Sequence, residues 1–349
     1  MSGPRLGFIG LGWIGAMRLD AVAAADAGVV AALCDPVPER VARAAAAHPR
    51  AAPFTEAEAL LDAATSLGLD GVVIATPNAL HAPQAIAALE RGLAVFCQKP
   101  LALDAAEAGR IVAAARRADR LLCVDYSYRF TDGMRELHRL TWSGELGSVF
   151  AVESVFHNAY GPDKAWCHDP AVAGGGSLMD LGVHVADLAL WVLGHPRVRS
   201  VNGRAYRDGA PLPAGGVDDF ATARIELDGG ATATVAVSWN AHAGQDCVIR
   251  TTAYGTAGGA EFRNVGGSFL DFELARFRGR QSEIVARESR DWLGRAIVAW
   301  ARRLAESAAY DAGAEESLVV AHVIDAIYGG RPRARIPAGE VPLSGAPIG

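Results

Sequence analysis

The stretch Leu6-Gly7-Phe8-Ile9-Gly10-Leu11-Gly12-Trp13-Ile14-Gly15 decides the fold of this chain. Leu6–Ile9 is too short for a helix and apolar enough for a strand covered on both faces. A Gly-x-Gly-x-x-Gly motif follows at once, and residues 14–27 read as a helix. In that setting Gly10 permits a tight turn, Gly12 lets the backbone approach a pyrophosphate, and Gly15 lets the helix pack closely on the sheet. The helix N-terminus offers unpaired N–H groups and the positive end of its dipole to an anion. Gly10, Gly12, Trp13, Ile14 and Gly15 are therefore candidate dinucleotide contacts. In a chain with 39 glycines the motif alone is weak, so its strand–turn–helix setting carries the argument.

The next strand, Val29–Cys34, ends in Asp35, 20 residues past Gly15, where a carboxylate can accept hydrogen bonds from the adenosine ribose hydroxyls. Alone, Asp35 reads equally well as a turn or helix cap before Pro36. With the glycines it points to a dinucleotide, and to NAD rather than NADP, since a carboxylate repels a 2′-phosphate. Arg40 could swing towards a phosphate, but beside Glu39 on a helix it reads as solvated.

Outward from this unit the same rhythm continues to about residue 125. Gly71–Ala75, Ala94–Cys97 and Leu121–Val124 are further short apolar runs, and helices are expected near residues 36–47, 56–64, 79–91 and 104–118. Such alternation predicts a doubly wound parallel sheet, a Rossmann domain over residues 1–125. Beyond it, Val149–Phe156, Val198–Tyr206, Phe220–Leu227, Ala231–Trp239, Val248–Tyr254 and Phe269–Phe272 read as strands joined by turns such as Asp228-Gly229-Gly230. Residues 126–349 are thus expected to form an α+β domain with a large, open, mostly antiparallel sheet. Helices near 131–143, 177–193, 291–308 and 314–328 would cover one face of it, and the chain from Gly329 would pack as an extended tail. A length of 349 residues suits two domains, and 51% hydrophobic residues suffice for two cores.

The net charge of −6, without a Lys/Arg cluster, leaves no footprint for nucleic acid. No segment has the roughly 18 uninterrupted apolar residues that a membrane span needs, and the N-terminal apolar run is too short for a secretory signal. A cytoplasmic protein is expected. Cys34, Cys97, Cys123, Cys167 and Cys247 show no paired spacing, so they read as inert thiols rather than metal ligands.

Two clusters lie just past strand ends, where ligands bind in open α/β sheets. One is Ala75-Thr76-Pro77-Asn78-Ala79-Leu80-His81 and the other is Cys97-Gln98-Lys99-Pro100; Thr76, Pro77, Asn78, His81, Gln98 and Lys99 join the candidate cofactor contacts. A third cluster is Gly174-Gly175-Gly176-Ser177-Leu178-Met179-Asp180-Leu181-Gly182-Val183-His184-Val185-Ala186-Asp187. A glycine run leads into a helix, and the four-residue spacing puts Asp180 and His184 on one face, with Asp187 on that side. The run lacks the paired histidines or cysteines of a metal site.

Gly10-x-Gly12-x-x-Gly15, Ala75-Thr76-Pro77-Asn78-x-x-His81, Lys99-Pro100, Arg129-Phe130, Gly144-x-x-Gly147, the Gly174–Asp187 segment and Gly255-Thr256-x-Gly258 together resemble the glucose–fructose oxidoreductase/inositol dehydrogenase/rhizopine-catabolism (Gfo/Idh/MocA) family, in its motif order and over nearly the whole chain. The resemblance implies a Rossmann domain followed by an open-sheet domain that often forms the oligomer contact. It marks Lys99 as the lysine of the family's Glu-Lys-Pro motif, Asp180 as its substrate-orienting aspartate and His184 as its general acid/base. One departure is plain: Gln98 stands where the family has Glu, and the local charge balance beside Lys99 is thereby altered.

Those residue types suit hydride chemistry, because oxidising a secondary alcohol needs a base for the hydroxyl proton and a cation for the developing alkoxide. His184 can fill the first role and Lys99 the second. The expected activity is an NAD(P)-dependent dehydrogenase acting on a sugar, polyol or cyclitol, with Arg129, His157 and Trp166 beside Lys99, Asp180 and His184 at the substrate. Asn158, Lys164, His168 and Asp169 lie in the same segment before the glycine run. Two other readings stay open: an NAD-dependent glycosidase of the same superfamily, which shows no net hydride transfer, and a catalytically silent dinucleotide-binding protein, suggested by Gln98. The strand-rich second domain, with one sheet face lacking helical cover, predicts a homodimer or homotetramer.

Overall fold

A computed structural model describes residues 3–287 and 290–329. Among the described residues, those up to Asp125 together with Gly294–Leu318 form one compact unit, and those of Tyr126–Leu293 with residues 319–329 form another.

The first unit is built on a six-stranded parallel sheet in the order β3-β2-β1-β4-β5-β6. Its strands are β1 (Arg5–Ile9), β2 (Val29–Cys34), β3 (Ala52–Phe54), β4 (Gly71–Ile74), β5 (Ala94–Cys97) and β6 (Leu122–Val124). The order reverses between β1 and β4, the switch point at which such sheets open a crevice at their carboxyl ends. Connecting helices are α1 (Trp13–Ala24), α2 (Pro38–Ala47), α3 (Ala57–Asp62), α4 (Ala64–Leu67), α5 (His81–Glu90) and α6 (Ala105–Ala118). Phe8, Ile9, Leu33, Ile74 and Phe96 are buried, as strands covered on both faces require. β3 escaped the sequence reading because it is a three-residue edge strand with Pro53 at its centre. The helix expected over 56–64 divides at Ala63 into α3 and α4.

The second unit carries a nine-stranded sheet in the order β15-β14-β13-β12-β7-β11-β10-β8-β9. The strands are β7 (Val149–Asn158), β8 (Val198–Arg207), β9 (Ala210–Pro211), β10 (Phe220–Leu227), β11 (Thr232–Ser238), β12 (Cys247–Gly255), β13 (Gly259–Asn264), β14 (Phe272–Arg278) and β15 (Gln281–Arg287). All pairs are antiparallel except β7 with β11. Val152, Phe156, Ile225, Val235, Val237, Ile249, Phe262 and Leu274 make the buried face. Against it lie α7 (Asp132–Trp142) and α9 (Val183–Val192), preceded by the one-turn α8 (Pro170–Ala173). The strand expected at Phe269–Phe272 instead starts where that run ends. Ser268 and Asp271 form a hydrogen-bonded turn there, and β14 continues to Arg278. β13 and β15 were not legible, since β15 exposes successive residues and so lacks a period-two signal.

Two further corrections concern helices. Residues 177–193 are not one regular helix: Leu178–Gly182 forms a π turn before α9 begins. The helix expected at 291–308, read as cover for the second sheet, is α10 (Arg295–Glu306) and packs in the first unit, so that the second domain is not the continuous 126–349. The reason is aromatic: Trp300 lies 5.5 Å from Phe96 of β5, and Gly71 of β4 leaves room for its ring. Gly294 accommodates Ala21 of α1. α11 (Glu315–Ile327) follows. Apart from Gly329, the tail lies outside the described residues.

Candidate functional site

In the first unit the glycine motif takes the geometry its spacing implies. Gly10 sits at φ 93°, and a Cβ there would lie 2.6 Å from the Ala75 carbonyl. A Cβ on Gly15 would fall 1.9 Å from the Gly10 oxygen, so helix and turn close on each other only with glycine at both places. Around Gly12, at the N-terminus of α1, nothing lies within 4 Å of the corresponding position. That open cradle of backbone at a helix N-terminus fits a pyrophosphate. Trp13, 67% exposed, and half-buried Ile14 border it.

Asp35 is 2% exposed and locks the same corner. Its Oδ2 accepts from Leu11 N, inside the glycine motif, at 2.7 Å, and its Oδ1 accepts from Val37 N at 3.0 Å. Arg40 is not simply solvated: its guanidinium lies 3.4 Å from Asp35 Oδ1.

At the ends of β4 and β5 the sequence-read contacts divide. Half-buried Thr76 and Pro77 lie on the surface of the turn, and the Thr76 hydroxyl donates to Gln84. Asn78 is buried at the start of the following helical turn. His81 is corrected as a cofactor contact, because it is 0% exposed and its ring nitrogens lie 2.8 Å from the Thr76 carbonyl and 2.7 Å from the Pro100 carbonyl. It ties the two candidate loops together instead. Burial pushes its imidazole below the usual value, while the two carbonyls pull the other way. Gln98, 7% exposed, likewise turns inward, to Asp125. Lys99 stays half-buried at the end of β5, followed by a cis bond to Pro100.

In the second unit the glycine run is held by a group that sequence reasoning missed. Asp218, 0% exposed, accepts from Gly176 N at 2.8 Å, Ser177 Oγ at 2.8 Å, Leu178 N at 2.7 Å and Tyr328 Oη at 2.5 Å. A Cβ on Gly176 would fall 1.8 Å from the Asp218 carbonyl oxygen, so the glycine admits this strand-to-helix contact. Nothing in Val217-Asp218-Asp219 distinguishes it from an ordinary acidic turn before a strand.

The π turn then carries Asp180, whose Oδ2 accepts from the indole N–H of Trp239 at 3.2 Å. One turn on, His184 is 8% exposed and packs edge-on against Tyr128 with centroids 5.0 Å apart, beside Phe156. Tyr128 is itself wedged among Phe156, Phe272 and Trp292, and burial drives its hydroxyl well above the usual tyrosine value. An imidazole walled by aromatic rings on this helix can exchange a proton in a poorly hydrated site.

Two expected substrate contacts, Arg129 and His157, are reassigned. Arg129 grips Asp187, its Nε 2.9 Å and its Nη2 2.5 Å from the carboxylate, with the rings of Tyr126 and Trp191 at 5.2 Å and 5.8 Å. The pair anchors α9, so Asp187 holds the helix rather than sharing the Asp180–His184 face. His157 alternates with Phe156, and Phe156 faces His184; His157 therefore lies on the opposite side of the sheet, stacked on Phe220 and 2.8 Å from Ser238 Oγ. Burial, aided by Arg250, lowers its pKa. Trp166 sits in a short helical turn, Ala165–His168, and the indole that reaches Asp180 belongs to Trp239. Among the described residues no cluster of His, Cys, Asp and Glu could hold a metal ion.

Residues 4–126 match the oxidoreductase family with an NAD-binding Rossmann fold, and residues 134–261 match the GFO/IDH/MocA C-terminal domain. An inositol 2-dehydrogenase of Saccharopolyspora erythraea is 32% identical over 238 residues, covering 68% of this chain and 67% of its own. The D-glucoside 3-dehydrogenase of Escherichia coli K12 is 32% identical over 139 residues, 40% of each chain. Among solved structures, levoglucosan dehydrogenase in complex with NADH and L-sorbose superposes with a TM-score of 0.80 at 24% identity over 94% of this chain and 96% of that one. A 3-ketoreductase from Actinomadura kijaniata in complex with NADP and TDP-benzene gives 0.79 at 23% identity, over 96% and 100% of the two chains. At those identities the likeness shows the fold.

Proposed function

Because this chain belongs to the Gfo/Idh/MocA family of NAD-binding oxidoreductases, we propose that it transfers hydride between nicotinamide and a secondary alcohol or ketone of a sugar, polyol or cyclitol. The observation that carries the reading is the Asp180–His184 element, pinned at its start by Asp218 and along its length by Arg129. His184 takes the hydroxyl proton in oxidation and returns it in reduction. Asp180, steadied by the Trp239 indole, orients the substrate hydroxyl. Lys99 supplies positive charge for the developing alkoxide. NAD, when bound, supplies the hydride acceptor, and Gly10, Gly12, Gly15 and Asp35 are the residues that would hold it.

The test is a panel of sugars, polyols and cyclitols offered with NAD. Net NADH formation with at least one is expected; if none reduces NAD, and none of the corresponding ketones oxidises NADH, the reading is wrong.

The cofactor preference is for NAD. Asp35 is buried and already fixed by Leu11 and Val37, so it cannot turn away from a 2′-phosphate. Asp35→Ser should narrow the NAD over NADP affinity ratio by about tenfold, equivalent to about 1.4 kcal/mol. Arg40, released from the carboxylate, is then free to meet the phosphate. Titration calorimetry of both proteins with both cofactors reads this directly, and an unchanged ratio would remove Asp35 as the discriminator.

We also propose a homodimer or homotetramer formed through the sheet face opposite α7 and α9. Val155, Thr234, Ala236 and Val248 lie on that face among Glu153, Arg224 and Arg250. Light scattering at micromolar concentration should give at least twice the chain mass of 36.4 kDa; a monomer would dismiss the proposal. No helix among the described residues is long and apolar enough to cross a membrane. A reducing, cytoplasmic setting is part of the proposal, with Cys34, Cys97 and Cys247 buried as thiols.

A further inference from the structure

Arg18 is 2% exposed, on the side of α1 that also buries Gly15, Leu19 and Val22. A guanidinium in that place is costly unless a counter-charge meets it. Asp125, 1% exposed, does so, its Oδ2 accepting from Arg18 Nε at 2.5 Å. The same Oδ2 accepts from the side-chain amide of Gln98. Backbone pairing sets up the meeting: Asp125 follows β6 and donates its N–H to the Cys97 carbonyl at 2.8 Å, beside the strand end from which Gln98 and Lys99 continue. One carboxylate oxygen thus joins α1, the end of β6 and the residue before Lys99.

The residue type at position 98 follows from that oxygen. An ionised carboxylate only accepts, so position 98 must donate, and the Gln98 amide does. Glutamate would bring a second carboxylate to the same buried oxygen, where two like charges cannot both stay ionised cheaply. We propose that the negative charge carried before the lysine elsewhere in the family has moved here to Asp125, and that the Arg18–Asp125–Gln98 cluster positions Lys99. Asp125 is then a positioning residue, and Gln98 marks a relocated charge rather than a lost activity. The inference rests on the reading of Lys99 as the pocket cation.

A cycle of Gln98→Glu, Asp125→Asn and the double variant tests it, with kcat, the KM for NAD and the melting temperature of the NADH-saturated protein as readouts. Each single change should lower kcat by about ten- to a hundredfold while KM for NAD moves less than about threefold, the pattern of a displaced catalytic group. The double variant again holds one carboxylate between positions 98 and 125, and kcat should return to within about threefold of wild type. Wild-type kcat in Gln98→Glu would overturn the proposal, and so would a double variant that loses the product of the two single effects. A purely structural cluster would move the melting temperature and leave kcat alone. If Asp125→Asn fails to fold, the comparison still decides, because adding it to Gln98→Glu must improve that variant. Should the wild type turn over no sugar, the proposed activity falls by itself and the positioning of Lys99 falls with it; the placement of the single carboxylate is then read on melting temperature, where the double variant should recover what each single change loses.

Discussion

His184→Ala is expected to lower kcat by about 10²–10⁴-fold, the usual worth of a positioned proton-transfer group, while the dissociation constant for NADH stays close to wild type. The separation follows from where the residues lie. The glycine motif and Asp35 belong to the first compact unit, whereas His184 sits on α9 of the second, walled by Tyr128 and Phe156. Removing the imidazole leaves its helix anchored through Asp187 and Arg129, so the loss should appear in turnover rather than in folding. Lys99→Ala should also slow turnover, and because both groups serve one transition state the double variant should lose less than the product of the two. A folded, NADH-binding His184→Ala protein that works at the wild-type rate would show that this helix is not the catalytic element.

The second large effect is on stability. Asp218→Ala should cost on the order of 3–5 kcal/mol, because donors that each leave about 1–3 kcal/mol when buried without a partner would lose their acceptor together. Those donors are the N–H groups of Gly176 and Leu178 and the hydroxyls of Ser177 and Tyr328. Turnover should fall as well, since the π turn holding Asp180 begins at Leu178. Tyr328→Phe removes one hydroxyl and should cost only about 1 kcal/mol. Chemical denaturation of the three proteins gives the ranking; an Asp218→Ala midpoint at or above that of Tyr328→Phe would mean that this carboxylate does not organise the helix start.

Both effects illustrate what one sequence can and cannot carry. The Rossmann half was legible because its signals are local. Leu6–Ile9, the three glycines and Asp35 fall within about thirty residues, and their backbone demands are met by neighbours in the chain. The Gly174–His184 segment was legible for the same reason, as glycines opening onto a helix that carries an acid and a histidine. Trp13 is exposed and Lys99 half-buried, each just past the end of a strand of the first unit.

Tertiary structure decided which polar side chains turn inward. His81 and Gln98 sit in motif-rich loops, yet the carbonyls of Thr76 and Pro100 claim the one and Asp125 claims the other. Arg129 read as a substrate contact and Asp187 as sharing the Asp180–His184 side, but the two pair with each other. His157 went to the far side of the sheet because strand residues alternate, and the register of β7 against β11 and β12 chose its side. Asp218, Arg18 and Asp125 carried no local mark, although Arg18, on the apolar stripe of Gly15, Leu19 and Val22, was the one readable hint. The return of α10 to the first unit rests on Trp300 meeting Phe96, residues far apart in sequence. Local backbone requirements were written in order along the chain, so the sequence alone determined the dinucleotide fold and the glycine-led helix that carries His184. A buried charge or indole must instead find its partner wherever the folded chain brings one, and only the tertiary structure decided those pairings.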